Sequence, residues 1–367
     1  QLSGGVQATL TPGSNVVENC RLRHLNFLED GMFHAAIRMY GCGHYVRHNE
    51  IEDTMEQAIG FHARNSVVEY NRCRDCCKEY GDANVIGTGG SWAPGSVIRY
   101  NDVGGCAGFT EGIYIDDCAS DVTVYGNVIH DVGHFGIFLG GGQRNVISNN
   151  VVIGGWGGIH TDNRGIAWPQ WKKVRDEKGL YALAPVNSVF VNNLIYDNSG
   201  YGSHLGLSKK LFPPDGANVF TGNLVVRPVG LRPGCSDIQS GEPANAPANR
   251  LTATTTNRTD RPIGPVRILD GTPESPIDIG FRHVPKPAFE PRDYMLESFA
   301  WVDVDRLAEL RAADALGRQT DTGDYSLKPD ARLLKEIPGF EPIPWEKIGN
   351  RGFRHDWFES KKKGEAK

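Results

Sequence analysis

The stretch "GIYIDDCASDVTVYGNVIHDVGHFGIFLGGGQRNVISNNVVIGGWGGIHTDN", residues 112–163, holds one short pattern three times. The copies read "GIYIDD", "GIFLGG" and "GIHTDN", and each alternates apolar residues with others. Between them lies a second frame, hydrophobic-x-x-Asn-x-hydrophobic, seen as Val124–Asn127–Ile129 and Ile147–Asn150–Val152. A period of two residues is that of a β-strand and not of a helix. The stretch therefore predicts short strands that return at a regular interval.

The asparagine frame recurs through the first 225 residues of the chain. Its asparagines are Asn49, Asn71, Asn101, Asn127, Asn150, Asn193 and Asn223. Subtracting neighbouring positions gives steps of 22 to 30 residues and one step of 43. Strand repeats of this length are typical of a parallel β-solenoid, in which each coil lies about 4.8 Å from the previous one. We expect these side chains to bond to backbone and to one another in a bend, which makes them structural.

The bulk composition excludes some classes of partner. The chain has 367 residues, enough for one extended domain or two compact ones. Its 44 acidic residues outnumber its 39 basic ones, which argues against nucleic acid as the main partner. No apolar run is long enough to span a membrane. The opening "QLSGGVQATL" has no leader pattern, so we expect any signal peptide to have been removed.

The eight cysteines raise the question of a metal or of disulfides. The cluster "CRDCC" at 73–77 resembles half of a zinc site, but a second CxxC is missing. Nearby histidines also lack ligand spacing, so the sequence predicts no metal site. We expect thiols buried in the core, and one or two disulfides stay an alternative.

Strand alternation places a pair of carboxylates on the outer surface. In the three stacked copies, Asp116, Gly140 and Asp162 fall in one outward column. The two aspartate backbones would then lie about 9 to 10 Å apart. We expect the glycine between them to leave an empty slot for a sugar ring, with Asp117 as the rival of Asp116 if a bulge shifts the frame. Aromatic side chains suited to sugar C–H surfaces fall in the next column: Tyr114, Phe138 and His160.

The same stretch resembles right-handed parallel β-helix proteins, and most closely glycoside hydrolase family 141, which includes an α-L-fucosidase and a xylanase. That family usually shows Tyr-Leu-Asp-Asp, then Gly-Gly-Gly, then His-Ile-Asp-Ala-Arg-Gly. The matching residues here are Tyr114, Asp116, Asp117, Gly140 to Gly142, His160, Asp162, Arg164 and Gly165. The resemblance implies that one Asp from each end of the stretch forms a catalytic pair.

The resemblance covers residues 15–230 well and the tail at 320–349 moderately. In "CKEYGDANVIGTGGSW" the family's residues are matched by Asp82, Thr88, Gly89 and Trp92. Gly87, Gly90 and Ser91 stand where Tyr, Arg and Asp are usual, which puts the family's substrate in doubt for this chain.

Further candidates lie around this stretch. Residues 166–189 interrupt the coils directly after "HTDNRG" and supply Trp168, either in a lid or subsite or in a solvated excursion. Polar side chains that could bind sugar hydroxyls or an acidic sugar are His62, His134, His160 and Arg164.

The predicted fold is all-β, a right-handed parallel β-helix with a C-terminal extended and helical capping segment. We assign residues 1–235 to the β-helix that carries the site. Residues 236–367 are assigned to an extended wrap, a short helix at 304–316 and a solvated tail.

Three functions fit these residues. The first is a glycoside hydrolase that cleaves a plant or algal polysaccharide with Asp116 and Asp162, needs no cofactor, is a monomer and is secreted or periplasmic. The second is a polysaccharide lyase or uronate epimerase, with His160 and Arg164 as candidates and calcium held by Asp116, Asp117 and Asp162. The third is a glycan-binding solenoid without catalysis.

Overall fold

Among the residues that the structure describes, seven consecutive coils, from residues 16–42 to residues 189–207, each contribute one strand to each of three parallel sheets, so the molecule is a parallel β-helix. The computed structural model describes residues 11–25, 34–78, 83–89, 93–106, 110–155, 157–162, 187–197, 205–207, 218–230, 267–285 and 323–350. Within these ranges the three sheets have eight, nine and seven strands. Neighbouring strands of a sheet come from successive coils, as the repeat predicts.

The strands are numbered in chain order. The first sheet holds β1 (Val16–Glu18), β4 (Tyr45–Arg47), β7 (Val67–Glu69), β10 (Val97–Arg99), β13 (Thr123–Tyr125), β16 (Val146–Ser148), β19 (Val189–Val191) and β22 (Val219–Thr221). The second holds β2 (Arg21–Leu25), β5 (Glu50–Thr54), β8 (Arg72–Arg74), β11 (Asp102–Cys106), β14 (Val128–Val132), β17 (Val151–Ile153), β20 (Leu194–Tyr196), β23 (Leu224–Arg227) and β24 (Arg267–Asp270). The third holds β3 (Ala35–Cys42), β6 (Gln57–Arg64), β9 (Ala83–Gly89), β12 (Thr110–Asp116), β15 (Phe135–Gly140), β18 (Gly157–Asp162) and β21 (Leu205–Leu207).

Inward-facing residues of the three sheets form one continuous core. Ile113, Ile137 and Ile159 pair in register on consecutive coils and are fully buried. The period-two alternation of the "GI" frames therefore has the predicted physical cause, which is burial of every second side chain.

The asparagine ladder is present as predicted. Each ladder asparagine before Asn223 donates from Nδ2 to Oδ1 of the Asn on the next coil, with Asn49 to Asn71 at 2.9 Å and Asn193 to Asn223 at 2.8 Å. A second hydrogen bond from the same Nδ2 goes to a backbone carbonyl, as from Asn127 to Ile98 at 3.0 Å. These asparagines are buried, so the ladder satisfies polar groups that water does not reach.

The residue before each ladder asparagine turns the corner between the first and second sheets. His48, Tyr70 and Tyr100 all adopt a left-handed backbone with φ of 55–56°, which is uncommon for large residues. Their rings stack in a row, with His48 to Tyr70 at 4.9 Å and Tyr70 to Tyr100 at 5.1 Å. The stacking offsets part of the backbone cost of these turns.

A C-terminal segment lies along that corner. It contains β26 (Asp324–Leu327), which pairs antiparallel with β25 (Phe281–His283), helix α1 (Arg332–Glu336) and a 3₁₀ turn (Trp345–Lys347). We call residues 339–350 of it the strap, because they bond to one coil after another. The coil partners of the strap are Asn192, Asn149, Tyr125, Tyr70, His48 and Asn19.

The assignment of residues 1–235 and 236–367 to two parts stays a prediction. Strand β24 continues the second sheet beyond residue 235 by pairing parallel with β23. The helix expected at 304–316 lies outside the described residues.

Candidate functional site

The predicted carboxylate column has the expected register. Gly140 pairs with Asp162, and Ile115 pairs with Leu139, which places Asp116 beside Gly140. The expectation of an empty slot over Gly140, however, is wrong. A Cβ on Gly140 would collide with Oδ1 of Asp116, because the carboxyl group of Asp116 leans over this glycine. No sugar ring can therefore lie between Asp116 and the backbone of Gly140 without displacing that carboxyl group.

The aromatic column beside it is covered. Tyr114 and Phe138 are 1% and 4% exposed, and their rings stack 4.7 Å apart at 6°. Phe135 and His160 pack on this pair and on each other, with ring centroids 4.3 Å apart. His134 is also buried. The expectation that Tyr114, Phe138, His160 and His134 present surfaces to a sugar is corrected, because they form a packed cluster on the outer face.

Beside this cluster, the buried side chain of Glu111 contacts His134. Nδ1 of His134 lies 2.6 Å from Oε1 of Glu111, and the Glu111 side chain is fully buried. Glu111 pairs in register with Asn84 of the preceding coil. Glu111 therefore contacts the aromatic cluster through His134 and lies beside a strand of the preceding coil, on the N-terminal side.

On those N-terminal coils the third sheet forms a cleft of about 240 Å³. This is below the roughly 300–1,000 Å³ of pockets for larger ligands, and it suits a single sugar ring. The lining residues are Arg38, Gln57, Gly60, Phe61, His62, Asn84, Gly87, Thr88, Gly89, Asp116 and Asp117.

Glycines form the floor of the cleft. Gly60 pairs with Gly87, and Gly87 pairs in turn with Tyr114, so two coils carry no outward side chain between Arg38 and Tyr114. Gly89, the partner of Asp116, has the same effect in the next column. The gap that the sequence predicted over Gly140 is therefore found two coils earlier.

Arg38 and His62 form one wall of the cleft. Nη2 of Arg38 lies 3.1 Å from Nε2 of His62, and Nε of Arg38 donates to the hydroxyl of Tyr40 at 3.0 Å. The exposed ring of Tyr40 stacks on His62 at 5.7 Å and lies against the guanidinium of Arg38. A guanidinium has no acceptor, so Nε2 of His62 must carry the lone pair.

The environment of His62 favours its neutral form. Burial is the larger cause and the positive charge of Arg38 is the second, and together they lower the pKa of His62 below its usual value. A neutral imidazole with its lone pair in a cleft is a chemically competent base at neutral pH.

The two aspartates reach the same cleft from the next coil. Asp116 ends β12, and Asp117 follows with a left-handed φ of 47°, so the chain turns there. Both side chains are partly exposed and both line the cleft. The sequence left Asp116 and Asp117 as alternatives for the same position. The turn brings both carboxylates to the cleft.

Sequence reasoning placed His62 in the correct column but missed Arg38, Gln57 and Asn84. The alternation in "AAIRMY" does predict Arg38 outward, level with the glycines and Tyr114. Gln57 and Asn84 stand in positions that alternation would turn inward, so that rule could not find them. Four further candidates lie outside the described residues: Trp92, Asp82, Arg164 and Trp168.

The described part of the chain gathers no group of three or more His, Cys, Asp or Glu side chains that could hold a metal ion. The side chain of Asp162, one of the three expected calcium ligands, lies outside the described part, so the calcium site of the lyase alternative stays a prediction. Cys73, Cys76 and Cys77 are buried and form no disulfide, and burial raises the pKa of their thiols. This confirms buried thiols for the "CRDCC" cluster. Among the same described residues, no helix is long and apolar enough to cross a membrane.

Comparison with known proteins supports the fold. Residues 3–167 match the family described as a right-handed β-helix region. The predicted all-β, right-handed parallel β-helix is therefore confirmed. No curated protein matches the sequence.

Two of the solved structures that resemble the chain are polysaccharide lyases. One is a mannuronic acid specific family 6 polysaccharide lyase from human gut microbiota, at 13% identity and a TM-score of 0.43, covering 61% of this chain and 58% of that one. The chain thus spans less than two thirds of that lyase. The other is a family 6 polysaccharide lyase from Pseudopedobacter saltans, at 13% identity and a TM-score of 0.40, covering 78% of each chain.

The expectation of a glycoside hydrolase of family 141 is corrected. Both similar structures are of polysaccharide lyases, which cleave by elimination and not by hydrolysis. At this identity the likeness concerns the fold, so any reaction of this chain has to be argued from its own side chains.

Proposed function

We propose that this protein is a polysaccharide lyase that cleaves beside a uronate sugar bound in the Arg38–His62 cleft. The observation that carries the proposal is the contact between these two side chains. Elimination from a uronate needs a cation on the carboxylate and a base at the adjacent carbon. Arg38 offers the cation in a planar form that matches a carboxylate, and His62 offers a neutral lone pair 3.1 Å away.

Substrate binding would itself free the base. In the structure, Nη2 of Arg38 donates to Nε2 of His62. A uronate carboxylate is a stronger acceptor and draws the guanidinium toward itself. The lone pair of His62 is then available to the proton on C5, which the carboxylate acidifies.

The proposed elimination is balanced by protein groups alone. His62 takes the C5 proton, and the electron pair of that bond forms the C4–C5 double bond. The C4–O4 bond breaks, and the departing oxygen receives a proton from the imidazolium that has just formed. The charge of Arg38 stabilises the carboxylate as electrons accumulate on it. Such a substrate lies outside cells, so we also propose a secreted or periplasmic location.

The first test replaces the base. His62→Gln should lower the formation of unsaturated uronate ends about 100- to 10,000-fold, the usual contribution of a general base. The assay follows ultraviolet absorbance of the new double bond on a panel of uronate-containing polysaccharides. His283→Gln, at an exposed histidine on β25, is the matched control and should leave the rate unchanged.

A reaction in water labelled with oxygen-18 separates elimination from hydrolysis. Elimination leaves no label from water in the new sugar ends. Labelled reducing ends without unsaturated product would overturn the proposal. Binding of a uronate polysaccharide with no product of either kind would overturn it too, in favour of a glycan-binding solenoid.

A further inference from the structure

The floor of the cleft carries two side-chain amides on neighbouring coils. Oε1 of Gln57 lies 2.6 Å from the position that a Cβ on Gly60 would take. The carboxamide of Asn84 covers Gly87 in the same way, and a Cβ there would collide with it. Gly60 and Gly87 are partners in the sheet, so the two amides lie side by side. Gln57 and Asn84 are each only 5% exposed.

One atom of this floor has no partner among the residues that the structure describes. Oδ1 of Asn84 is buried and accepts no hydrogen bond from them. A buried acceptor left in this state costs about 1–3 kcal/mol, and such groups are rare in native proteins. An amide oxygen needs an O–H or N–H donor, and Asn84 lines the cleft where a ligand would supply one.

We propose that Gln57 and Asn84 form a hydroxyl-binding subsite that recognises the ring hydroxyls of the uronate whose carboxylate binds Arg38. This inference rests on the proposed function and adds a specificity role to it. The cleft holds about one ring, so the carboxylate at Arg38 and the hydroxyls at the amides belong to the same sugar. Uncharged amides both donate and accept, which suits a pair of neighbouring hydroxyl groups.

The glycines have a defined part in this subsite. A methyl group on Gly87 would occupy the place of the Asn84 amide. Gly87→Ala therefore moves the amide without removing it. It should weaken uronate binding much as Asn84→Ala does, since both changes take the acceptor from its position.

Binding of free sugars tests the subsite without catalysis. The probes are glucuronate, mannuronate and galacturonate, which share a carboxylate; mannuronate and galacturonate each differ from glucuronate in the orientation of one hydroxyl, at C2 and at C4 respectively. We expect the unaltered protein to prefer one of them. Asn84→Ala and Gln57→Ala should each lower its affinity for that uronate about tenfold, the effect of one lost hydrogen bond, and reduce the preference. Titration followed by ligand-detected nuclear magnetic resonance measures both quantities.

Two further variants separate recognition of hydroxyls from recognition of charge. Arg38→Gln should weaken all three uronates alike and keep their order. Asn84→Asp keeps the side-chain shape but adds a negative charge near the ligand, and it should weaken binding more than Asn84→Ala. Thermal unfolding of each unliganded variant checks that the coils are intact.

The outcomes distinguish this subsite from the reaction. Equal affinity of Asn84→Ala and the unaltered protein, or no binding of any of the three uronates, would overturn the subsite. If uronate binding depends on Asn84 but no polysaccharide gives an unsaturated product, the subsite is supported and only the proposed lyase reaction is contradicted.

Discussion

The imidazole of His62 gains its character from one neighbouring side chain and from its depth in the cleft. Burial disfavours the charged ring, and Arg38 at 3.1 Å disfavours it further. The same guanidinium also fixes which ring nitrogen is unprotonated. Arg38 thus prepares the base before any substrate is present.

This arrangement predicts a measurable titration. Arg38→Gln removes the positive charge, so the pKa of His62 should rise toward its ordinary value of about 6.5. Nuclear magnetic resonance of the histidine ring protons, followed against pH, measures it directly. Arg144→Gln, at an exposed arginine paired with Asp121, should leave the titration of His62 unchanged. A pKa that stays the same in Arg38→Gln would disprove the electrostatic coupling.

At the scale of single residues, the sequence predicted the face on which a side chain lies better than the contacts that the side chain makes. Alternation placed Asp116 and His62 on the outer face, as observed. It could not predict that the carboxyl group of Asp116 leans over Gly140, because that depends on a side-chain torsion. Nor could it predict the burial of Tyr114, which results from Phe138 stacking on it.

At the scale of the elements, the asparagine ladder joins coil to coil through buried side chains, in addition to the backbone pairing of the sheets. Asn127 accepts hydrogen bonds from the backbone and side chain of Asn101 and donates to Ile98 and Asn150. All four polar groups lie away from water, so the loss of one side chain leaves several of them unsatisfied.

We therefore expect Asn127→Ala to lower the free energy of unfolding by about 3 kcal/mol, since each unsatisfied buried group costs about 1–3 kcal/mol. Asn15→Ala, at an exposed asparagine near the first coil, should cost less than about 1 kcal/mol. Urea unfolding of both variants makes the comparison. Equal losses in the two would mean that the ladder adds no stability beyond an ordinary surface contact.

The asparagines were predictable because their spacing repeats, but the turns before them were not. The positions that precede the seven ladder asparagines all have a positive φ: His48, Tyr70, Tyr100, Gly126, Asn149, Asn192 and Gly222. Of these residues, only the two glycines and the two asparagines indicate such a conformation by residue type. The histidine and tyrosines are held there by ring stacking between coils, which a single repeat cannot reveal.

Across the whole molecule, a buried charge cluster joins three coils of the second sheet to the C-terminal segment. Asp102 is fully buried and contacts Arg72, Arg74 and His130, and the ring of His130 packs on Tyr325. Burial alone would raise the pKa of the Asp102 carboxyl, but Arg74, then His130 and then Arg72 hold it well below its usual range. Burial would lower the pKa of His130, but hydrogen bonds to Asp102 and to its neighbour Asp131 raise it.

The cluster predicts a window of pH for stability. The lowered pKa of Asp102 contributes stability above about pH 4, its unfolded value, and loses it as pH falls further. The raised pKa of His130 contributes below about pH 6.5 and loses it as pH rises through the folded value. The cluster should therefore stabilise the protein most between about pH 4 and 6.5.

Chemical unfolding at several pH values tests this window. Asp102→Asn should flatten the profile and cost about 3–5 kcal/mol within the window, because it leaves buried charges without their partner. Asp121→Asn breaks an exposed pair with Arg144 and should cost less than about 1 kcal/mol. A profile of the same shape in Asp102→Asn and the unaltered protein would show that other groups set the pH dependence.

The architecture as a whole was predictable, while the cleft was only partly so. Repeats separated by 22 to 30 residues can bury their apolar faces only by stacking, and this decides the solenoid. The cleft depends on which coils lack an outward side chain. Gly60 and Gly87 stand in frames that were recognised as strands, but their pairing became a floor only once the register of β6 and β9 was known.

The strap has a consequence for the order of events during synthesis. Most contacts between coils join residues a few tens of positions apart, so coils can form while the ribosome is still extending the chain. Asn350 instead bonds to Asn19, 331 positions away, and Lys347 bonds to His48, 299 positions away. These bonds cannot exist until residue 350 has left the exit tunnel. The corner with its left-handed tyrosines must therefore remain uncovered by the strap until residues 339–350 have emerged, and the strap closes over it only after the coils that it covers.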